Sequence, residues 1–436
     1  MAANNPVGVD DVFFSTTDEK GHIELANDVF VRLSQHSREE LVGAPHNIIR
    51  NDFMPAGAFH AMWATLKAGK PFAAYVRNAA ADGSPYDVLA TVTPLRGGGY
   101  LSVRTCPLTA SADTAWSLYE QIRGIEKECT AAGVKRAQMA EASAGHIVAA
   151  LKELGLDSYE QFQNRIMPAE VLEREKQSQG LNPGSGEVAT AIAAIHEKLG
   201  VWMDQQEALI ATAEKIAESS AELAQEAGVG AQISEQMAQL DVEGPQSTLL
   251  LAPLRTWAGM HGIVDSYLDE LQELADKLVE SAHSTRFSIA LARLHATVAT
   301  KYATEVEGKG QTDGNAAKAL KVLAMALEDG IQTMRDQLRS YDLLAGRLSK
   351  RLASVNRIME PPREMISSWL QVTDISGFSD AARALVDSVA EAVEASNTAT
   401  AAMQSAVEAL ENSVEDDAEA AQELSVMITK VVSAVA

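Results

Sequence analysis

The chain has 436 residues, a formal net charge of −24 and a hydrophobic content of 46%, with a mean hydropathy of −0.08. This length exceeds what one compact core holds and predicts two or three units, while the acidity disfavours nucleic acid and anionic lipid surfaces as partners. Apolar runs such as Leu249–Leu254 are much shorter than the ~20 residues that cross a bilayer, so no membrane insertion is expected.

The cysteine content and the N-terminus both bear on the cellular compartment. Cys106 and Cys129 show neither metal-ligand spacing nor a disulfide framework. The N-terminus lacks the basic and apolar segments of a signal peptide. The sequence therefore predicts a cytoplasmic protein.

The first hundred residues show the alternation and turn signals of a small antiparallel sheet. Asn27-Asp28 can cap a short helix after the second strand, and Asp82-Gly83 marks a hairpin turn. The predicted strands are Val12–Ser15, His22–Ala26, Phe72–Asn78, Tyr86–Leu95 and Tyr100–Thr105. Two strands, then helices, then three strands is the element order of a PAS domain.

A resemblance to a known family rests on the segments TTDEKGHIELANDVFVRLSQHSREELVGAPHNIIR, MWATLKAGKPF, DG, VTPL and YLSVRT. Over about residues 8–108 they resemble the PAS domain of bacterial aerotaxis receptors. The resemblance implies an α+β fold, with an antiparallel sheet and flanking helices, that binds FAD and senses cellular redox state. The alternative is a PAS domain that packs its own core and binds nothing.

The same resemblance implies a cofactor pocket. The implied pocket residues are Asn27, His46, Asn47, Arg50, Trp63, Phe72 and Tyr86. Arg50 keeps a guanidinium suited to phosphate. In contrast, Asn51-Asp52-Phe53 replaces the family's His-Pro-Asp, and Asp87 replaces a tryptophan, which removes stacking surface and adds a charge that an anionic pyrophosphate disfavours. FAD, another small ligand and an empty pocket remain open, and a haem held by a PAS histidine is a further alternative.

Beyond Ala112 the composition turns to Ala, Glu, Gln, Leu and Met, and the acidity concentrates there. Residues 1–110 carry 11 acidic and 9 basic side chains, whereas the remainder carries 49 and 27. This predicts a helical linker region at residues 112–176 and a long-helix bundle or coiled-coil domain at residues 187–436. The Gly-, Pro- and Ser-rich segment 177–186 separates them as a loop.

Several breaks are expected within the helical part. Pro168 suits the first turn of a new short helix, and Pro361-Pro362 is expected to end or sharply redirect a helix. Glycines predict further interruptions, at Gly228-Val229-Gly230, Gly244-Pro245-Gln246-Ser247 and Gly308–Gly314.

The last predicted helix follows 374–379 and carries the most regular heptad stripe of the chain. Its apolar positions are Met403, Val407, Leu410, Val414, Ala421, Leu424, Ile428, Val431 and Val435. A single helix cannot bury such a stripe, so it must pack on earlier helices or on a second chain. A homodimer is the favoured prediction.

A second, fainter resemblance links residues 263–345 to the helical hairpins of chemoreceptor signalling domains. It rests on Ala292–Ala296 (ARLHA), on Leu320–Ala324 (LKVLA) and on the glycine-rich stretch between them. Leu291 and His295 stand where the family pattern has an asparagine and a glutamate, and its polar kinase-contacting tip is not recognisable. A generic Ala-rich bundle is the alternative.

No catalytic motif accompanies these elements: the sequence has no phosphate-binding glycine loop, no HExxH and no paired-cysteine zinc spacing. We therefore expect a non-enzymatic cytoplasmic sensor, in which the PAS domain detects redox state, oxygen or a small ligand. It would relay to a chemoreceptor-like helical output of the chemotaxis or aerotaxis type, as a homodimer with a signalling-protein partner. The alternative is a PAS adaptor or scaffold that docks partners without a cofactor.

Overall fold

The computed structural model describes residues 5–239, 245–308, 314–376 and 379–435. The chain divides into two units. One comprises Met1–Met203, His283–Arg335 and Ala420–Ala436, and the other comprises Asp204–Ala282 and Asp336–Glu419.

The first unit begins with a five-stranded antiparallel sheet. Its strands are β1 (Phe13–Thr17), β2 (Ile23–Ala26), β3 (Phe72–Ala79), β4 (Pro85–Pro94) and β5 (Tyr100–Thr105). They lie in the order β2-β1-β5-β4-β3, with β1 and β5 paired at the centre. All five predicted strands are confirmed to within two residues at each end, because alternation and turn residues mark them clearly.

Short helices cross from β2 to β3 and cover one face of the sheet. They are α1 (Asp28–Ser34), α2 (Arg38–Leu41), a 3-10 turn (His46–Ile49) and α3 (Ala56–Lys67). The Asn27 side chain caps α1 by accepting from the Phe30 N–H, and Ser37 with Glu40 forms a capping box on α2. Phe13, Phe30 and Leu33 are fully buried between the sheet and α1. The predicted fold class, an α+β PAS fold followed by long helices, is confirmed.

Three helices follow the sheet: α4 (Ser111–Ala131), α5 (Arg136–Glu153) and α6 (Tyr159–Gln177). Helix α5 packs closely on α3, because a Cβ added to Gly57 would overlap the backbone of Ser143 and Ala144. Helix α6 packs on β3, where the rings of Tyr159 and Phe72 stack with centroids 4.9 Å apart.

The expectation of a new helix at Pro168 is wrong, since α6 runs through it without a break. Proline lacks only one backbone donor, so a single intrahelical hydrogen bond is lost. Met167 and Val171 beside it are buried, and this packing holds the turn in the helical conformation.

Four long helices make up most of the remaining chain. They are α7 (Glu187–Gln239), α8 (Pro245–Gly308), α9 (Gly314–Val372) and α10 (Asp380–Val435). The predicted loop 177–186 and the start of the last helix after Ser379 are both present. Gly244 and residues 309–313 of the predicted breaks lie outside the described residues, and Pro245 is the first residue of α8.

The expected break at Gly228–Gly230 is wrong, and so is the expected end of a helix at Pro361-Pro362, whereas a change of helix direction there stays a prediction. Helix α7 continues through Gly228–Gly230, and α9 continues through Pro361 and Pro362. Met359 and Ile366, on either side of the prolines, are both buried. Their burial in the helical register opposes the loss of two backbone hydrogen bonds.

The heptad stripe of α10 is buried within one chain. In the second unit, Met403, Val407 and Leu410 join a core with residues of α7, α8 and α9. In the first unit, Ala421, Leu424, Ile428 and Val431 are also buried. Val414 lies outside the residues whose side chains are described. In the part of the chain that the structure describes, no helix has a stretch both long and apolar enough to cross a bilayer.

Candidate functional site

A cavity of about 270 Å³ lies inside the N-terminal sheet domain. Its walls come from the inner face of β3, β4 and β5, from α3 and from the 3-10 turn that begins at His46. The lining includes Thr17, Lys20, Gly21, His46, Asn47, Ile49, Arg50, Phe59, Met62, Trp63, Leu66, Val76, Asn78, Val92, Tyr100, Ser102 and Arg104. An apolar chamber with a few convergent polar groups is the usual form of a small-molecule site.

Four of the seven residues predicted to hold a cofactor come together in this lining. His46, Asn47 and Arg50 belong to the 3-10 turn and its end, and Trp63 comes from α3. The ring of Trp63 meets that of Tyr100 edge-on, with centroids 5.5 Å apart. The two rings form an aromatic wall against which a planar group can pack.

The other three predicted residues lie outside the lining. Asn27 caps α1 and also donates to the Val12 carbonyl, 2.7 Å away. Phe72 stacks on Tyr159 of α6, and Tyr86 is buried in the core beside Phe13. Their predicted contact with a cofactor stays a prediction, and in this structure each has a structural role.

Several lining residues escaped the reasoning from sequence, above all Arg104. Tyr100, Ser102 and Arg104 alternate along β5 and so share the face that lines the cavity. Polar residues at every second position of a central, buried strand are the sequence pattern from which these lining residues could have been predicted.

Arg104 is 4% exposed and forms no ion pair with any acidic side chain that the structure describes. Its guanidinium lies over the Phe13 ring, 4.4 Å from the centroid, and its Nη2 donates to His46 Nε2 at 2.5 Å. Burial lowers the pKa of Arg104 to about 10, which still leaves it charged at neutral pH. A buried cation without a carboxylate is costly, so the cavity favours a ligand with a negative or electron-rich edge.

His46 presents a neutral imidazole to the cavity. Burial, and then the charge of Arg104, hold the pKa of His46 well below its usual value of 6.5. Because Nε2 accepts from Arg104, the proton of the neutral ring resides on Nδ1. The same hydrogen bond occupies the nitrogen that a haem iron would most readily use. Among the residues that the structure describes, no cluster of three or more metal-ligating side chains occurs.

Arg50 lines the cavity near α3 and is about half buried. Its guanidinium carbon lies 3.9 Å from the centroid of the Phe59 ring. Burial, and then the nearby charge of Arg136, lower the pKa of Arg50.

Asp87, which was expected to place an unfavourable charge in the pocket, is neutralised. Both of its oxygens accept from Arg77, at 2.7 and 2.8 Å, across the β3–β4 pair. This bidentate pair raises the pKa of Arg77, while that guanidinium also lies over Phe53 and Trp116. The expected electrostatic objection to an anionic ligand therefore does not apply.

Comparison with known proteins agrees with the fold. A family model for the PAS domain matches residues 10–106. The aerotaxis receptor of Escherichia coli (strain K12) is 43% identical over 106 residues, which are 23% of this chain and 21% of that protein. Residues 10–106 are a PAS domain. The predicted resemblance is confirmed, and the chain matches about a fifth of the length of this curated relative.

Solved structures with partial similarity include a PAS domain from Colwellia psychrerythraea, with 20% identity and a TM-score of 0.20 over 22% of this chain and 85% of that one. A LOV protein of Rhodobacter sphaeroides shows 20% identity and a TM-score of 0.22, over 32% of this chain and 89% of that one. At these values neither similarity bears on function.

Proposed function

We propose that the protein is a PAS-domain sensor that binds a flavin in the cavity and relays its redox state to the helices that follow. The buried, carboxylate-free Arg104 beside a neutral His46 is the observation that carries this proposal. The flavin would supply reversible reduction, and a fixed positive charge at its polar edge favours the electron-rich, reduced form.

The cavity suits part of the cofactor. At about 270 Å³ it is slightly smaller than the ~300–1,000 Å³ typical of sites that enclose a drug-sized ligand. The flavin ring would lie between the Trp63–Tyr100 wall and Arg104, and the phosphates and adenine of FAD would extend outside this volume. His46, Arg50, Trp63 and Arg104 are the residues that would hold the ring and its side chain.

The proposed output is non-enzymatic and chemoreceptor-like, in a cytoplasmic homodimer that acts on a signalling partner. Support for this class comes from the aerotaxis-receptor similarity of residues 10–106 and from the long helices that follow. The heptad stripe of α10 is buried within the chain, so a homodimer would use another surface.

Visible absorbance of the purified full chain tests the proposal. We expect the purified protein to show the absorbance bands of oxidised flavin, either as isolated or after titration with FAD. Arg104→Met should weaken flavin binding and lower the reduction potential of bound flavin, whereas Arg104→Lys should retain the potential. Failure of the folded wild-type chain to bind FAD or riboflavin would overturn it.

The modest size of the cavity favours a second candidate function. A PAS adaptor that docks partners without a cofactor needs no ligand site, and the cavity of about 270 Å³ is below the ~300–1,000 Å³ typical of sites that enclose a drug-sized ligand. A colourless protein that takes up neither flavin, yet keeps its fold, would support this adaptor function.

A further inference from the structure

A second depression lies beside the cavity, on the outer side of α3. This groove has a volume of about 500 Å³ and is formed by α3 and the beginning of α5. Arg50, Phe59 and Trp63 line both the cavity and the groove, so they form the boundary at which the two meet. Helix α5 begins at Arg136 and lies entirely outside the PAS domain of residues 10–106.

The groove is lined by positive charge. Arg50, Lys67 and Arg136 all line it, and no acidic residue does. None of the three forms an ion pair with another described side chain. Arg50 and Arg136 lie close enough for their repulsion to lower the pKa of Arg50, after burial, although Glu126 and Asp52 partly oppose it. A bound anion would relieve this repulsion.

Helix α5, which begins at the exposed Arg136, is packed on α3. The close contact at Gly57 brings the two helices together, and Ser143 Oγ of α5 accepts from the Gly57 N–H at 3.1 Å. The same hydroxyl donates to Glu126 of α4 at 2.6 Å. Arg136 therefore joins Arg50 and Lys67 in the groove only while α5 is docked on α3.

We infer that Arg136 completes the ligand site from outside the PAS domain, by binding the phosphate groups of a nucleotide ligand whose ring lies in the cavity. Guanidinium groups bind phosphate oxygens through paired, charge-assisted hydrogen bonds. Occupancy then stabilises the docking of α5 on α3, because a ligand that contacts both favours the docked state. This inference rests on the proposed flavin site.

The test compares riboflavin, which has no phosphate, with FAD, using the full chain and fluorescence titration. We expect Arg136→Gln to weaken FAD about fivefold, the upper end for an exposed ion pair, and to leave riboflavin unchanged. Arg136→Lys should restore most of the loss. Lys135→Gln is the matched control, because Lys135 is adjacent and exposed but does not line the groove.

A second variant keeps every charge and moves the helix. Gly57→Ala should force α5 away from α3 and reduce the preference for FAD over riboflavin as Arg136→Gln does. Equal loss of both flavins in Arg136→Gln, or no loss of FAD, would overturn this inference without overturning the proposed flavin site of the wild type. Binding of neither flavin to the wild type would overturn the proposed function itself, and this inference with it.

Discussion

Substitution of Glu126 tests how the linker helices are attached to the PAS domain. This residue of α4 is 1% exposed. Its Oε1 accepts from the Ala56 N–H at 2.7 Å, from the Gly57 N–H at 3.3 Å and from Ser143 Oγ at 2.6 Å. Its Oε2 accepts from Arg123. One carboxylate thus joins α4 to the N-terminus of α3 and to α5.

The amides of Ala56 and Gly57 report on this attachment because they belong to the first turn of α3 and have no acceptor within the helix. Hydrogen bonds to a charged acceptor contribute about 1.5–3 kcal/mol each. Glu126→Ala should therefore speed hydrogen exchange at Ala56 by roughly tenfold or more, and by less at Gly57, whose N–H keeps Ser143 Oγ as an acceptor. Glu126→Gln should have a smaller effect, since it keeps one acceptor oxygen.

Hydrogen exchange with fragment or residue resolution provides the assay, and Glu128→Ala is the control because Glu128 is exposed on the same helix. Exchange elsewhere in the sheet, such as at Val103, should stay constant. Unprotected amides at Ala56 and Gly57 in the wild type, or equal rates in Glu126→Ala, would refute the proposed attachment.

Three further predictions concern pH dependence and assembly. Burial lowers the pKa of His295 to about 4, so the unfolded chain takes up this proton at a higher pH than the folded chain does. The free energy of unfolding should therefore fall by up to about 3 kcal/mol between pH 6.5 and pH 4. His295→Leu should reduce this pH dependence of the free energy of unfolding, as measured by acid-unfolding curves. Hydrogen bonds from His196 and Arg293 outweigh burial and lower the pKa of Glu175, so Glu175→Gln should cost ~1–3 kcal/mol at neutral pH. That cost should vanish as pH falls below 4.5 through the lowered pKa, and equal costs at both pH values would contradict the pairing. Met403→Ala should destabilise the helical core by ~2–5 kcal/mol. The melting temperature should not depend on protein concentration, because the α10 stripe is buried within one chain. A melting temperature that rises with concentration would instead place this stripe between chains.

The sheet could be predicted from sequence because its signals are local. Alternation marked the strand His22–Ala26, and Asp82-Gly83 marked a turn in which Gly83 adopts a φ of 83°. The resemblance located four lining residues, His46, Asn47, Arg50 and Trp63. All of them lie in or near segments that the resemblance covers.

The remainder depended on contacts that a linear pattern does not contain. Glu126 binds amides about 70 positions away, and no local spacing signals that partner. The helices passed through Pro168 and Pro361 because the burial of neighbouring side chains outweighed the lost backbone bonds. Propensity rules describe an isolated helix, whereas these helices are stabilised by tertiary packing.

A contiguous set of buried contacts leads from the cavity to the long helices within the first unit. Val76 of β3 lines the cavity, and its neighbour Tyr75 points to the opposite face, where it donates to Glu170 of α6 at 2.8 Å. Glu170 also accepts from the backbone of the segment that follows β5.

Five residues further along α6, Glu175 accepts from Arg293 of α8 and lies 3.1 Å from His196 of α7. Glu170 and Glu175 of α6 therefore hold partners on different elements, and a shift of β3 relative to α8 would move or break at least one of these bonds. Buried charge pairs break at a high cost when one partner is removed. Helix α6 therefore connects the sheet to the helices through contacts at Glu170 and Glu175, and the relay proposed above would use this connection.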